Sequence, residues 1–403
     1  MKILYFGTVC EMSEYEKILS DCKTKPSVAS VVFESALLKG MKLNNADVTV
    51  YSFPMIPVYP NSKKVYWGNK VQQLASGYTC TWLKTINIPF LKQLSRKMNA
   101  RKILKTWLDN NKHEKCIVLT YSIPPFFAKD VLCLCKKYNT KCYAIVADLL
   151  RDMYMNHQKS KIVSWMQNQY INPTLAIQGD FDGYVYLTEL MSDVINPEKP
   201  YVVMEGIADI SNVEIIEEKS DTDIIAIMYA GGLYEKYGIL NLLDAFEKLE
   251  MPELRLWLFG EGSAVETIKE RALGNSKIKY MGCLSREEIL LYERKANILV
   301  NPRNVDEEFT KYSFPSKIIE YMLSGTPLLT TRLRGIPQEY FDYVFTADNN
   351  DTNTLINALK NILRLSEEQR KLIGKAAREF IVTNKNAEAQ AKIVLDFIGC
   401  QEK

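Results

Sequence analysis

Lys317 and Glu320 stand one helical turn apart, just after Ser313 and Ser316, in the stretch NPRNVDEEFTKYSFPSKIIEYMLSGTP from Asn301 to Pro327. A helix start presents unpaired backbone N–H groups and a partial positive charge, so a lysine and two serines placed there form a cradle for phosphate. A carboxylate one turn further on is placed to accept hydrogen bonds from a ribose diol, as acidic residues do in other nucleotide-binding α/β folds. Together these residues suit a nucleoside diphosphate.

The elements that must hold them are legible. The run ANILV from Ala296 to Val300 is apolar and β-branched like a buried parallel strand, and Asn301-Pro302 ends it. A loop leads to a helix whose inner stripe is expected at Ile318, Ile319, Met322 and Leu323, with Glu320 on its edge and Ser324-Gly325 as its end. Upstream, residues 223–230 read as a strand, Gly231-Gly232 as a tight turn, and Gly238 to Leu249 as a helix with Leu242, Leu243, Ala245 and Phe246 inward. LRLWLFGEGS is a second strand running into the turn Gly260-Glu261-Gly262, where glycine lets backbone approach a ligand. Ser285 and Glu288 have the spacing of a capping box, and Ser366 to Asn384 and Ala387 to Gly399 read as terminal helices.

The N-terminal half alternates strands and helices, the pattern of a parallel sheet. MKILYFGTV is a first strand with Gly7 at its turn, a helix is expected over Pro26 to Gly40 with Val28, Val31, Val32, Ser35 and Leu38 inward, and a second strand starts at Val48. Three later strands end in Ser122, Asp148 and Thr188. Open α/β sheets bind ligands at the carboxyl ends of their strands, so Gly7, Ser122 and Asp148 are the candidates there. A turn or helix N-cap is the alternative use of Asp148.

In the C-terminal half the segments YAGGLYEKYGILNLLDAF, LWLFGEGSAVETIKE, IKYMGCLSREEILLYERKANILVNPR and SFPSKIIEYMLSGTPLLTT follow in this order. In this series the chain resembles the retaining glycosyltransferases of family 4, as seen in bacterial capsule and exopolysaccharide enzymes. The resemblance implies the GT-B fold, two Rossmann-like domains facing each other across a cleft. It divides the chain into an acceptor-side domain at 1–205, a linker at 206–223, a nucleotide-sugar domain at 224–384 and a helix at 385–403 crossing back to the first domain. It further implies sugar transfer with retention from a UDP- or GDP-sugar to a saccharide or lipid-linked acceptor. Asp148 then lies near the place where similar enzymes set a carboxylate or histidine facing the reacting sugar. The donor set becomes Gly231, Gly232, Gly260, Glu261, Arg303, Ser313, Phe314, Pro315, Ser316, Lys317 and Glu320, with Gly7 and Ser122 on the acceptor side.

The chain departs from that family at two places. The family's paired glutamates stand eight positions apart, yet the residue eight before Glu320 is Tyr312, and Glu307 and Glu308 lie just upstream as substitutes. Where the family holds diphosphate with an arginine and a lysine, this chain has Gly232 and a displaced Lys236. Arg303 is the replacement charge or, alternatively, an ion-pair partner of Asp306 or Glu307.

A length of 403 residues suits two domains, and 47% hydrophobic with 25% charged residues is ordinary globular composition. The net charge of +3 implies no nucleic-acid partner. Two histidines and scattered cysteines give no metal-ligand cluster, so neither metal nor cofactor is expected. The nine cysteines read as reduced core thiols, and the first residues lack the layout of a signal peptide, so a cytoplasmic protein is expected. From Val48 to Leu108 there is no Asp or Glu, while the segment holds Lys63, Lys64, Lys70, Lys84, Lys92, Arg96, Lys97, Arg101, Lys102 and Lys105 together with Tyr66, Trp67, Tyr78, Trp82, Phe90 and Trp107. Either this is a solvated helix face with the aromatic residues in the core, or residues 63–105 meet the anionic inner face of the plasma membrane. Hydrolase, kinase and dehydrogenase motifs are missing. The remaining alternatives are a catalytically silent nucleotide-sugar-binding scaffold subunit and a GT-B epimerase.

Overall fold

The computed structural model of the chain describes residues 1–24, 26, 28–155, 161–210 and 224–400. Most of the expected linker, and His157, fall outside them. The chain divides into two compact units, Met1–Ile207 with Ala387–Lys403, and Ala208–Asn386.

The first unit runs β1 (Lys2–Gly7), α1 (Met12–Ser20), α2 (Ala29–Leu43), β2 (Asp47–Ser52), β3 (Tyr66–Trp67), β4 (Val71–Gln73), β5 (Thr79–Trp82), β6 (Thr85–Ile86), α3 (Leu91–Asn110), β7 (Cys116–Tyr121), α4 (Ala128–Tyr138), β8 (Lys141–Val146), α5 (Leu150–Met155), α6 (Lys161–Leu175), β9 (Gly183–Tyr186), α7 (Met191–Ile195) and β10 (Tyr201–Val203). Its main sheet has the order β10-β9-β8-β7-β1-β2-β5-β4, parallel except for the edge pair β4–β5. The central strands β1 and β7 are buried along nearly their whole length, as strands covered on both faces must be. A separate antiparallel ribbon pairs β3 with β6.

The second unit runs β11 (Ile225–Ala230), α8 (Ile239–Glu247), β12 (Leu254–Phe259), α9 (Val265–Gly274), β13 (Ile278–Gly282), α10 (Arg286–Lys295), β14 (Ile298–Asn301), α11 (Lys317–Ser324), β15 (Leu328–Thr331), β16 (Phe345–Ala347), α12 (Thr352–Leu363) and α13 (Glu367–Asn384). Its sheet is wholly parallel in the order β13-β12-β11-β14-β15-β16. Leu242, Leu243, Ala245 and Phe246 are buried on α8, and Ser285 and Glu288 close a capping box. The last helix, α14 (Ala387–Cys400), belongs to the first unit and packs on α2.

Both sheets wind outward from a central first strand, so each has a point where the chain changes winding direction. In the first unit it lies between β1 and β7, in the second between β11 and β14. Ligands enter open α/β sheets at the carboxyl ends of such strands, because the loops there diverge.

The structure corrects several expectations. The helix expected over 26–40 is α2, its start Val28 is exposed, and Val32 and Ser35 are only half-buried. Its inner face carries Val31, Glu34, Leu37, Leu38 and Met41; a glutamate inside that stripe shifts the face that apolar spacing suggests. α1 buries only Tyr15 and Ile18, too few positions to make a readable stripe. On α11 the fourth buried residue is Tyr321 and not Leu323. None of the nine cysteines is in a disulfide, and Cys133, Cys283 and Cys400 are exposed, not core thiols. Among the described residues no helix is long and apolar enough to cross a membrane.

Candidate functional site

The carboxyl edge of the second sheet is assembled by backbone contact. Gly260 follows β12 at φ +127°, and a Cβ there would fall 1.9 Å from the Gly231 carbonyl oxygen after β11. Only glycine lets the two turns touch, and Gly231 N–H donates to Phe259 O at 3.0 Å across the same gap. Behind them Tyr321 on α11 donates its hydroxyl to Ala230 O at 3.0 Å and accepts from Ala230 N–H at 2.8 Å. The α11 helix is thereby tied to the end of β11. Gly232 O accepts from the Tyr229 hydroxyl at 3.0 Å, and burial pushes that phenol up to about 12. Glu261 is exposed, and its backbone O accepts from Leu233 N–H at 2.8 Å.

Two cations converge on one ring beside these turns. Arg303 lies 4.8 Å from the centroid of Tyr237, and Lys236 lies 5.4 Å from the same ring and 5.5 Å from Phe309. Phe309 belongs to the 3-10 turn Glu308–Tyr312, which brings exposed Glu308 to the same loop cluster. Thr331 fixes the Arg303 backbone by donating to its carbonyl at 2.7 Å. Among the described residues Arg303 forms no ion pair with Asp306 or Glu307; its guanidinium stacks on Tyr237.

The start of α11 carries a charge network that spacing alone half revealed. Lys317 Nζ contacts the Glu320 carboxylate directly and lies 3.5 Å from Glu293 on α10. Burial works against the Lys317 ammonium, but Glu320 and then Glu293 more than offset it, so its pKa is raised. Glu293 is wholly buried, and burial followed by the Glu320 charge raises its carboxyl far above the usual range. Burial opposes ionisation of Glu320 too, yet the Lys317 charge and a hydrogen bond from Glu293 hold its pKa low. The three groups form one shared arrangement, in which the Lys317 ammonium stands beside both carboxyl groups and Glu320 holds the negative charge in preference to the more deeply buried Glu293. Ser313 is half-buried and Ser316 exposed at the helix start. Phe314 differs from expectation, since its side chain is buried and packs on Tyr340 at a ring distance of 5.4 Å. Pro315 is likewise buried, with its carbonyl accepting from Ile318 N–H at 2.9 Å.

At the first sheet's switch point the chemistry is acidic. A Cβ on Gly7 would sit 1.8 Å from Glu34 Oε2, so the glycine admits a carboxylate beneath the β1 turn. Glu34 is fully buried and accepts from Tyr5 Oη at 2.7 Å, from Thr8 N–H at 3.0 and 2.9 Å, and from the Thr8 hydroxyl. Burial outweighs those donors and lifts its pKa from 4.5 to about 7. Ser122 follows β7 with φ +63°, a left-handed conformation costly for serine, held by its N–H donating to Ile145 O at 2.7 Å. Asp148 lies in the turn after β8. Its residue surface is exposed to solvent, yet the chain packed around the carboxyl and then the Asp152 carboxylate push it up to about 6. No side-chain cap bond from Asp148 to α5 exists among the described residues. Tyr121, at the end of β7, feels both Glu34 and Asp148, which raise its hydroxyl after burial does. Gly7, Ser122 and Asp148 thus end adjacent strands of one unit, while the donor set ends strands of the other.

Glu34, Glu293 and Tyr321 were not legible as site residues. The basic segment also needs correction. Lys92 and Arg96 are buried, donating to the carbonyls of Ile56 and Pro54, and burial lowers Lys92 to about 7. Lys97 and Arg101 pair with Asp130 at 3.8 and 3.2 Å. Lys92 and Arg96 therefore hold a loop in place, and Lys97 and Arg101 face a carboxylate of α4. Among the described residues no group of His, Cys, Asp and Glu is arranged to hold a metal ion.

Residues 212–380 match the family model for glycosyl transferases group 1. No curated protein matches the chain. Similar solved structures include the sucrose-phosphate synthase of Thermosynechococcus elongatus, with a TM-score of 0.68 at 14% identity over 99% of both chains. HepE of Anabaena in complex with UDP has a TM-score of 0.63 at 12% identity, covering 99% of this chain and all (100%) of that one. The apo form of the lipopolysaccharide outer core galactosyltransferase WaaB has a TM-score of 0.59 at 13% identity over 100% of both chains. The chain has the GT-B fold. With a glycosyltransferase group 1 segment in its second unit, it is an enzyme of the hexosyltransferase class.

Proposed function

We propose that the chain transfers a hexosyl unit from a UDP- or GDP-sugar to a saccharide acceptor, lipid-linked and at the cytoplasmic membrane face, with retention, in assembly of a capsule or exopolysaccharide. The observation that carries this reading is the grouping of Lys236, Arg303 and Lys317 with the paired turns of Gly231 and Gly260 on one parallel sheet edge. Breaking the bond between sugar and diphosphate builds negative charge on the leaving phosphate. Cations and helix-start N–H groups fixed in advance stabilise that charge without reorganising, which supplies electrophilic help without a metal. Ser313 and Ser316 add hydroxyl donors at the same helix start. Glu320 accepts from the ribose, and Glu293 keeps it in place. Lys317 turns from Glu320 to phosphate when the donor arrives.

Glu308 takes the sugar-ring contact that Tyr312 cannot make. Asp148 steadies the oxocarbenium-like transition state, and Gly7 and Ser122 shape the acceptor side. Support comes from fold relatives: HepE is described with UDP and with UDP and glucose, and WaaB as a lipopolysaccharide galactosyltransferase. The test is a panel of UDP- and GDP-hexoses with saccharide acceptors, read as free nucleotide and as the anomeric configuration of the product. Acceptor-dependent nucleotide release with retained configuration is expected. Nucleotide binding without release makes the chain a scaffold, and sugar conversion without acceptor makes it an epimerase; either result overturns the proposal.

A further inference from the structure

The 48–108 segment places its exposed apolar side chains together. In the β3–β6 ribbon Tyr66 pairs with Ile86, and both are exposed, at 56% and 40%. Ile86 N–H donates to Ser95 Oγ at 3.0 Å, which seats the ribbon against α3. On α3 itself Leu91, Leu94 and Met98 occupy successive turns of one face and are all exposed, Met98 at 65%. Phe90, just before the helix, is 54% exposed and sits at φ +66°. A bulky residue in that region is a strained choice, and the buried positions of this helix start are taken by Lys92 and Arg96. Polar groups are thus inside and apolar groups outside, the reverse of what solvent exposure favours.

Around the apolar residues the charge has one sign. Lys84, Arg101, Lys102 and Lys105 are exposed, and residues 48–108 contain no Asp or Glu. The carboxylates that reach this region come from elsewhere: Asp130 to Lys97 and Arg101, Asp21 to Lys64 at 2.5 Å, Glu14 to Lys70, and Glu11 to the Ala75 N–H. Aromatic and aliphatic groups at the level of a lysine-arginine rim suit the boundary between acyl chains and anionic headgroups.

We propose that the face formed by the β3–β6 ribbon and the first half of α3, with Phe90, Leu94 and Met98 at its centre, inserts shallowly into an anionic lipid bilayer. This rests on the lipid-linked acceptor reading for its purpose but not for its test. Lys92 and Arg96 anchor the 54–56 loop behind the face and do not meet headgroups; Lys84, Lys102 and Lys105 do.

The full chain is floated with vesicles of phosphatidylcholine alone and with vesicles containing phosphatidylglycerol. Wild type should float with the anionic vesicles and far less with the neutral ones. L94E/M98E should lose roughly tenfold or more of that binding, and K102E/K105E a smaller part that added salt also removes. All substituted residues are exposed, so melting temperatures and the shift induced by UDP or GDP should match wild type. A missing nucleotide shift in wild type would indict the donor site while leaving vesicle binding to be read separately. The proposal is overturned if wild type floats with neither vesicle, if it binds both alike, or if L94E/M98E floats as wild type does. A concentration-dependent dimer abolished by L94E/M98E, without vesicle binding, would assign the face to a second copy instead.

Discussion

The two units build the same kind of switch point and give it opposite charge. In the second unit the end of β11 is backed by the Tyr321 hydroxyl, and the loops after β11 and β14 carry Lys236 and Arg303, with Lys317 at the start of α11. In the first, the turn after β1 rests on a buried glutamate, and the neighbouring strands end in Tyr121 and Asp148. One sheet edge suits a diphosphate leaving group, and the other suits neutral hydroxyls and developing positive charge. Fold alone does not distinguish them; the side chains mounted on equivalent strand ends do.

Removing the cation on the second unit should have the largest consequence. K317M should lower turnover by roughly 10²–10³-fold, the scale seen when one preorganised charge is withdrawn from a transition state. A loss below about tenfold in steady-state kinetics would break the assignment of diphosphate to this edge. D148N probes the other edge and should act on kcat more than on nucleotide affinity, by about 10–100-fold. If Asp148 must be ionised, the acid limb of the wild-type rate profile should lie near its pKa of about 6, and D148N should lose that limb. Equal pH profiles for the two proteins would return Asp148 to a merely structural turn.

The smallest effect concerns the buried carboxylate beneath Gly7. Glu34 holds its proton more tightly folded, at about 7, than at the ordinary value of 4.5. Between those values the folded chain binds a proton that the unfolded chain has released, so this group's contribution to stability is fully present below about 4.5 and is lost as pH rises through about 7. E34Q cannot ionise, so its melting temperature should fall less than that of wild type across this window. Parallel curves would mean that Glu34 is ionised throughout.

The second unit was the more legible one, for physical reasons. Its central parallel strands β11, β14 and β15 are buried on both faces and read as apolar runs, its turns need glycine, and the capping box at Ser285 is a local signal. Lys317 and Glu320 share a helix and were therefore visible as a pair. Glu293 joins them from α10, within REEILLYERK, where a glutamate reads as one more solvated charge. Glu34 was missed because an apolar stripe is counted through polar residues, and nothing local announces that one of them points inward. The basic segment misled in the opposite sense. The carbonyls that hold Lys92 and Arg96 lie 36 and 42 residues away in the chain, so no short-range pattern marks those cations as buried. Aromatic residues expected in the core divide likewise: Tyr78 and Trp82 are inside, Tyr66 and Phe90 outside.

The most direct test of the contrast between the two edges is the melting temperature of wild type and K317M with UDP, GDP, ADP, uridine and guanosine at millimolar concentration. A ligand that binds only the folded chain raises that temperature, and the rise grows with the logarithm of ligand concentration relative to Kd. UDP or GDP should stabilise wild type, uridine or guanosine should do little, and K317M should lose most of the shift. No shift in wild type with any nucleoside diphosphate, or an undiminished shift in K317M, would contradict the placement of the donor diphosphate at Lys317.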